Sequence, residues 1–122
     1  MRFSHILLLL GLRPAEKKVH YKTVALVSTL QGDIDSKTWW RIRDQLRGTD
    51  VYSLRSSMLA INNVLPTEKK ADAAKAYKKV FVEMEALDLA CKKKEQALAT
   101  KENNDLLAAL AAYGAIIKVN LN

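Results

Sequence analysis

The longest amphipathic pattern in the chain runs from Ser36 to Leu65 and stops at Pro66. Trp39, Ile42 and Leu46 fall three and four positions apart. Val51, Leu54, Met58, Ile61 and Leu65 resume that spacing after a one-residue shift near Gly48. Apolar residues at this period give a helix one buried stripe. Ser36 is placed as the N-cap, and Pro66 cannot continue a helix without losing a hydrogen bond. An unbroken helix over this stretch would be roughly 40 Å long. Gly48, Thr49 and Asp50 lower helix propensity locally. A bend or a close helix contact is expected there, and a break into two short helices is the alternative.

Three further segments carry the same period. Lys17 to Gln31 forms a stripe of Val19, Thr23, Leu26 and Leu30, widened by Val24 and Val27, with Gly32 as the stop. A third helix opens at Pro66-Thr67-Glu68, with Thr67 as N-cap and Glu68 and Asp72 near its positive end. Ala73, Tyr77, Val80, Met84, Leu87 and Cys91 alternate steps of four and three, the seam of left-handed helix packing. Lys92, Lys93 and Lys94 follow at its negative end. Glu95 to Thr100 either extends that helix or connects it to the next. The last helix is expected from Lys101 or Glu102 to Val119, with Leu107, Leu110, Gly114, Ile117 and Leu121 on its stripe and Ala108, Ala109, Ala111 and Ala112 allowing close approach.

Amphipathic segments joined by short connections predict an all-α fold, an up-down-up-down four-helix bundle with an N-terminal arm. The bundle domain covers residues 17–122 and the apolar arm residues 1–16. No segment shows the sustained alternation of a strand. Trp39, Leu46, Leu54, Tyr77, Met84, Leu87, Leu110 and Ile117 are expected in one core. The run from Ile6 to Leu12 is far shorter than the ~20 residues a membrane helix needs. It reads either as an arm packed on the domain or a neighbour, or as the stub of a targeting peptide.

Composition agrees with helices: the 122 residues include four glycines and two prolines. The length suits one domain with a real core. The formal charge of +7 is spread along the chain, so it does not choose among nucleic acid, anionic lipid and an acidic protein surface. Cys91 is alone, which excludes an intramolecular disulfide and a Cys-based zinc site.

The chain shows no convergent catalytic set. His5 and His20 lie on separate segments without metal-ligand spacing, and Glu-x-x-His is absent. Glu83 and Glu85 flank the apolar seam and read as solvated. Cys91 on the seam reads as a small core residue. Phosphate-binding and nucleophile-elbow motifs are missing. A non-enzyme without cofactor or metal is expected. Trp40, Arg43 and Arg47 lie at i, i+3 and i+7 on one helical face, while Trp39 keeps register with Ile42 and Leu46. Trp40 then either anchors an arginine-rich interface or closes the end of the bundle above solvated arginines. The lysine pairs at 69–70 and 78–79 and the run at 92–94 read as solvated.

The order Trp39, Leu46-Arg47, Tyr52, Leu54-Arg55, Asn62, Pro66 and Glu68-Lys69-Lys70 resembles the PsbQ family. Phe81, Leu87-Asp88, Ala90, Lys92 and Lys94 match that family's third helix, and the alanine-rich last segment fits its final one. The resemblance covers residues 37–121. Trp40 departs from the Pro of plant members, and the spacing from Tyr52 to Asn62 is shifted by one residue. The Pro-rich tail of plant members is replaced by the apolar arm, and the lipidated cysteine of bacterial members has no counterpart. An algal, plastid-derived protein fits these departures best.

The resemblance implies a non-catalytic extrinsic subunit on the lumenal side of photosystem II, peripheral to the thylakoid membrane in the plastid. It would stabilise the oxygen-evolving complex and its retention of calcium and chloride. Its expected partners are the photosystem core and other extrinsic lumenal subunits, met through Trp40, Arg43 and Arg47. No nucleic acid and no small-molecule substrate are expected. A PsbQ-like subunit of photosystem I or another thylakoid complex is the alternative within this class. A basic helical nucleic-acid-binding module is the alternative outside it, without a visible reader motif.

Overall fold

A computed structural model describes residues 14–117 of the chain. Most of the expected arm, together with His5, Val119 and Leu121, lies outside the described residues. The fold is all-α: α1 (Pro14–Asp35), α2 (Trp39–Arg47), α3 (Thr49–Val64), α4 (Thr67–Lys92) and α5 (Gln96–Ile117). With α2 and α3 forming one interrupted rod, these make the up-down-up-down four-helix bundle. The most extensive contact joins α4 to α5. Helix α1 packs mainly on α3, and α2 crosses onto α4.

One core runs through all the rods. Leu46, Leu54, Met84, Leu87, Leu110 and Ile117 are buried in it, and Trp39 and Tyr77 pack against it partly buried. The α4 seam is as read: Ala73, Val80, Met84, Leu87 and Cys91 are buried. Tyr113 is the largest fully buried side chain. Its hydroxyl lies 2.8 Å from Asn62 Oδ1 and 3.2 Å from the Met58 carbonyl oxygen, which satisfies a polar group inside the core.

The long second helix is broken, against the expectation of a bend. Gly48 has φ −81° and ψ 177°, an extended residue between α2 and α3. Its N–H donates to the Gln45 carbonyl at 3.3 Å, and its own carbonyl accepts the N–H of Tyr52 at 3.2 Å. One helix thus closes and the next opens across a single residue. That extended residue is the one-residue shift seen in the apolar spacing. A Cβ on Gly48 would lie 3.0 Å from the Asp44 carbonyl oxygen, so a glycine suits this close approach.

Helix boundaries differ from the reading at several points. Helix α1 includes Pro14, ahead of Lys17, and passes through Gly32 to end at Asp35. The extra turn buries Ile34 completely. The helix ends in a Schellman motif: Thr38 N–H donates to the Asp33 carbonyl at 2.8 Å and Lys37 N–H to that of Ile34 at 3.0 Å. Lys37, not a glycine, holds the left-handed position, with φ 56°. Ser36 therefore closes α1 and does not cap α2, whose N-cap is Thr38 without a side-chain bond. At α4 the N-cap is Pro66, and Thr67 is the first helical residue.

Helix α4 ends in a second Schellman motif around Lys94, φ 58°. Glu95 N–H donates to the Ala90 carbonyl and Lys94 N–H to that of Cys91, each at 3.1 Å. Helix α5 starts at Gln96, earlier than expected, because Gln96 ties the helix ends together. Its Nε2 donates to the carbonyls of Ile34 and Asp35 at 3.2 and 3.3 Å. The buried stripe of α5 runs through Leu106 in place of Leu107, with Asn103 as a polar member. Asn103 Nδ2 donates to Gln31 Oε1 on α1 at 3.2 Å. Ala108 and Ala112 are exposed, and Ala111 is half-buried. Of the four alanines, Ala109 alone is buried, so the others do not mediate close helix approach.

Candidate docking surface

Helix α2 is short, and its two buried residues, Ile42 and Leu46, fix which way everything else on it points. Trp40 is 64% exposed. The Arg41 guanidinium carbon sits 5.4 Å from the centroid of the Trp40 ring. The same Arg41 donates Nη1–H to Asp33 Oδ1 on α1 at 3.2 Å. The indole is thus braced from one side by a cation that is itself tied to the end of α1.

Arg43 and Arg47 flank the Ile42–Leu46 stripe one turn apart and turn toward α4. Arg43 Nε donates to Asp88 Oδ1 at 3.0 Å, and Arg47 Nη2 to Asp88 Oδ2 at 2.9 Å. The structure therefore brings the two arginines together on one internal carboxylate and leaves Trp40 exposed beside Arg41. Two guanidiniums against one carboxylate leave a net positive charge at this corner. Arg47 keeps a mostly solvent-exposed side chain, at 62%. Arg41 and Asp88 are not among the residues that the sequence suggests for the contact. The signal for Asp88 was the adjacency of Arg43 and Arg47 to the core stripe, which obliges them to meet the facing helix.

A second polar cluster lies between α4 and α5. Glu83 is buried there, not solvated, whereas Glu85 is exposed. Carboxylate oxygens of Glu83, Glu102 and Asp105 lie within 4.8 Å of one another. Lys79 reaches Glu83 at 2.6 Å, and Lys101 reaches Asp105 at 2.8 Å and Glu102 at 3.7 Å. The carboxylate hydrogen bonds and charges hold both lysines above their ordinary range. The contact between α4 and α5 extends beyond a two-position seam, so Glu83 is covered while Lys79 supplies its counter-charge. Each of these ion pairs lies within one helix, and three carboxylates against two lysines leave one negative charge at the α4–α5 contact.

Cys91 is 1% exposed. Burial first, then the charge of Asp88, pushes its thiol from 9.0 up to about 11, with Arg43 opposing. A thiol so placed is a poor nucleophile near neutral pH. No helix among the described residues is long and apolar enough to cross a membrane.

No curated protein matches the chain. A family model does, that of PsbQ, oxygen evolving enhancer protein 3, over residues 10–117. With nearly all of the bundle inside that match, the chain belongs to the PsbQ family, the non-catalytic extrinsic subunits of the oxygen-evolving complex of photosystem II.

Proposed function

We propose that this chain docks on the lumenal face of photosystem II in a plastid, peripheral to the thylakoid membrane. There it stabilises the oxygen-evolving complex and helps it retain calcium and chloride. Its partners are the photosystem core and neighbouring extrinsic subunits, and the contact includes Trp40, Arg43 and Arg47.

The observation that carries this reading is Trp40, a large apolar ring standing in solvent on a helix that otherwise buries its apolar residues. A braced indole loses little conformational freedom on binding and brings a large apolar area to a contact. The net positive charge of Arg43 and Arg47 over Asp88 favours approach to an acidic surface, an effect on encounter that salt screens.

The test is rebinding of Trp40→Ala to salt-washed photosystem II membranes, with helicity checked first. Affinity is expected to fall by more than about tenfold, chiefly through faster dissociation. Unchanged affinity would remove Trp40 from the contact.

A further inference from the structure

Helix α2 is fastened differently from the other helices. Its hydrogen-bond ladder is interrupted at both ends, by the left-handed Lys37 ahead of Thr38 and by the extended Gly48 behind Arg47. Nine residues are too few to hold a helix in water by themselves. The apolar anchorage is Ile42 and Leu46, with Trp39 partly buried beside them. Among the described residues four ion pairs join one helix to another, and three of them end on α2. Arg41 pairs with Asp33 on α1, and Arg43 and Arg47 pair with Asp88 on α4. The fourth, Lys22 with Asp50, ties α1 to α3. Gln45 adds an uncharged tie, its Nε2 donating to Thr29 Oγ1 on α1 at 3.0 Å. Two open hollows, of about 480 Å³ toward α1 and about 260 Å³ beside Arg55, share Gly48 in their walls, so the chain at that break has room to turn.

We infer that α2 is an ionically fastened strap, which leaves the bundle as one unit, hinged at Lys37 and Gly48, while the other four helices stay packed. Salt decides its release. All three arginine side chains are open to water, from 28% at Arg43 to 62% at Arg47, so screening reaches every one of these ion pairs. The contacts of α4 with α5 and of α1 with α3 are the most extensive in the fold and rest on buried apolar residues, which added salt does not weaken. Arg43 and Arg47 share Asp88, so loosening that one carboxylate frees both turns of α2 together. Trp40 then travels with the arginines, and salt alters the shape of that corner as well as its charge. The release of α2 is a property of the isolated chain. Only its consequence for Trp40 rests on the docking reading.

The test is native-state hydrogen exchange of the full chain, followed amide by amide by NMR at about 0.05 M and about 1 M sodium chloride. The amides of Gln45, Leu46 and Arg47 report α2, and those of Leu30, Leu54, Leu87 and Leu110 report the other four helices. At low salt the α2 amides should exchange together, at least about a hundredfold faster than the four reference amides. High salt should speed the α2 amides by about another tenfold and leave the reference amides within about twofold, because partly exposed ion pairs are individually weak and three act together. Exchange of α2 at the reference rate, or no salt effect on α2 beyond that on the references, would overturn the proposal. Asp88→Asn should speed α2 exchange at low salt by about tenfold and remove most of its salt dependence. Should that variant not fold, Arg47→Gln carries the same test at a mostly exposed side chain, with about threefold faster α2 exchange and a weaker salt dependence. A folded variant whose α2 amides exchange and respond to salt as in the native chain would also overturn it.

Discussion

Arg43 on α2 donates its Nε–H to Oδ1 of Asp88 on α4, 3.0 Å away. Arg47 takes the other oxygen at 2.9 Å. These two bonds join residues 45 and 41 positions apart in sequence and tie α2, the half of the rod before the Gly48 break, to α4. An internal carboxylate thus sets the posture of side chains on the proposed docking corner. Asp88→Asn is expected to cost about 1–2 kcal/mol in denaturant unfolding, a value reduced from that of a fully buried pair because Asp88 is 22% exposed. A double-mutant cycle with Arg43→Gln should return a coupling of about 1 kcal/mol. Additive single effects would mean that the pair holds nothing together.

The first helix carries its glycine in the wrong place for its own ending. Gly32 sits in the helix interior with nothing within 4 Å of where a Cβ would stand. Lys37 holds the left-handed position that a glycine adopts at no cost. Gly32→Ala is expected to stabilise the domain by about 0.5–1 kcal/mol. Lys37→Gly should stabilise it by about 1 kcal/mol. Thermal unfolding of each variant checks both signs, and a lowered midpoint in either would refute the assignment of α1 and its cap.

Alkaline pH should weaken the fold through Cys91. Its thiol titrates near 11 when folded and near 9.0 when unfolded. A group raised in this way contributes stability that is fully present below pH 9.0 and is lost as pH rises toward 11. The loss is about 2–3 kcal/mol. Lys79 and Lys101, also raised, act in the same direction above their ordinary 10.5. Urea unfolding from pH 8 to 11 should show a steeper decline in the native chain than in Cys91→Ala. Identical slopes would contradict the account. Asp88→Asn, which removes a charge that raises the thiol, should let Cys91 react at lower pH.

The bundle was legible because apolar spacing reports burial directly. The α4 seam from Ala73 to Cys91 and most of the core can be read from period alone. Endings were less legible. Gly32 resembles a stop, but burial of Ile34 stabilises another turn, and Gln96 from α5 satisfies the carbonyls left at the end. The shift at Gly48 was visible in the spacing, yet spacing does not distinguish a bend from an extended residue. Leu106 and Leu107 are equally apolar. Only the facing helix, through Asn103 and Gln31, selects the register. Pairings between distant segments, such as Arg43 with Asp88 and the burial of Glu83 against α5, leave no trace in a single sequence beyond a charge next to a stripe. Trp40 was legible as a residue off the buried stripe, though its brace on Arg41 was not.

The central claim is that this chain works as an extrinsic subunit of photosystem II. The most direct measurement is oxygen evolution by salt-washed photosystem II membranes, at low calcium and chloride, before and after adding the native chain. Saturable rebinding that restores oxygen evolution under ion limitation, and that salt reverses, is the result the account predicts. A chain that leaves oxygen evolution unchanged and stays in the supernatant would contradict it.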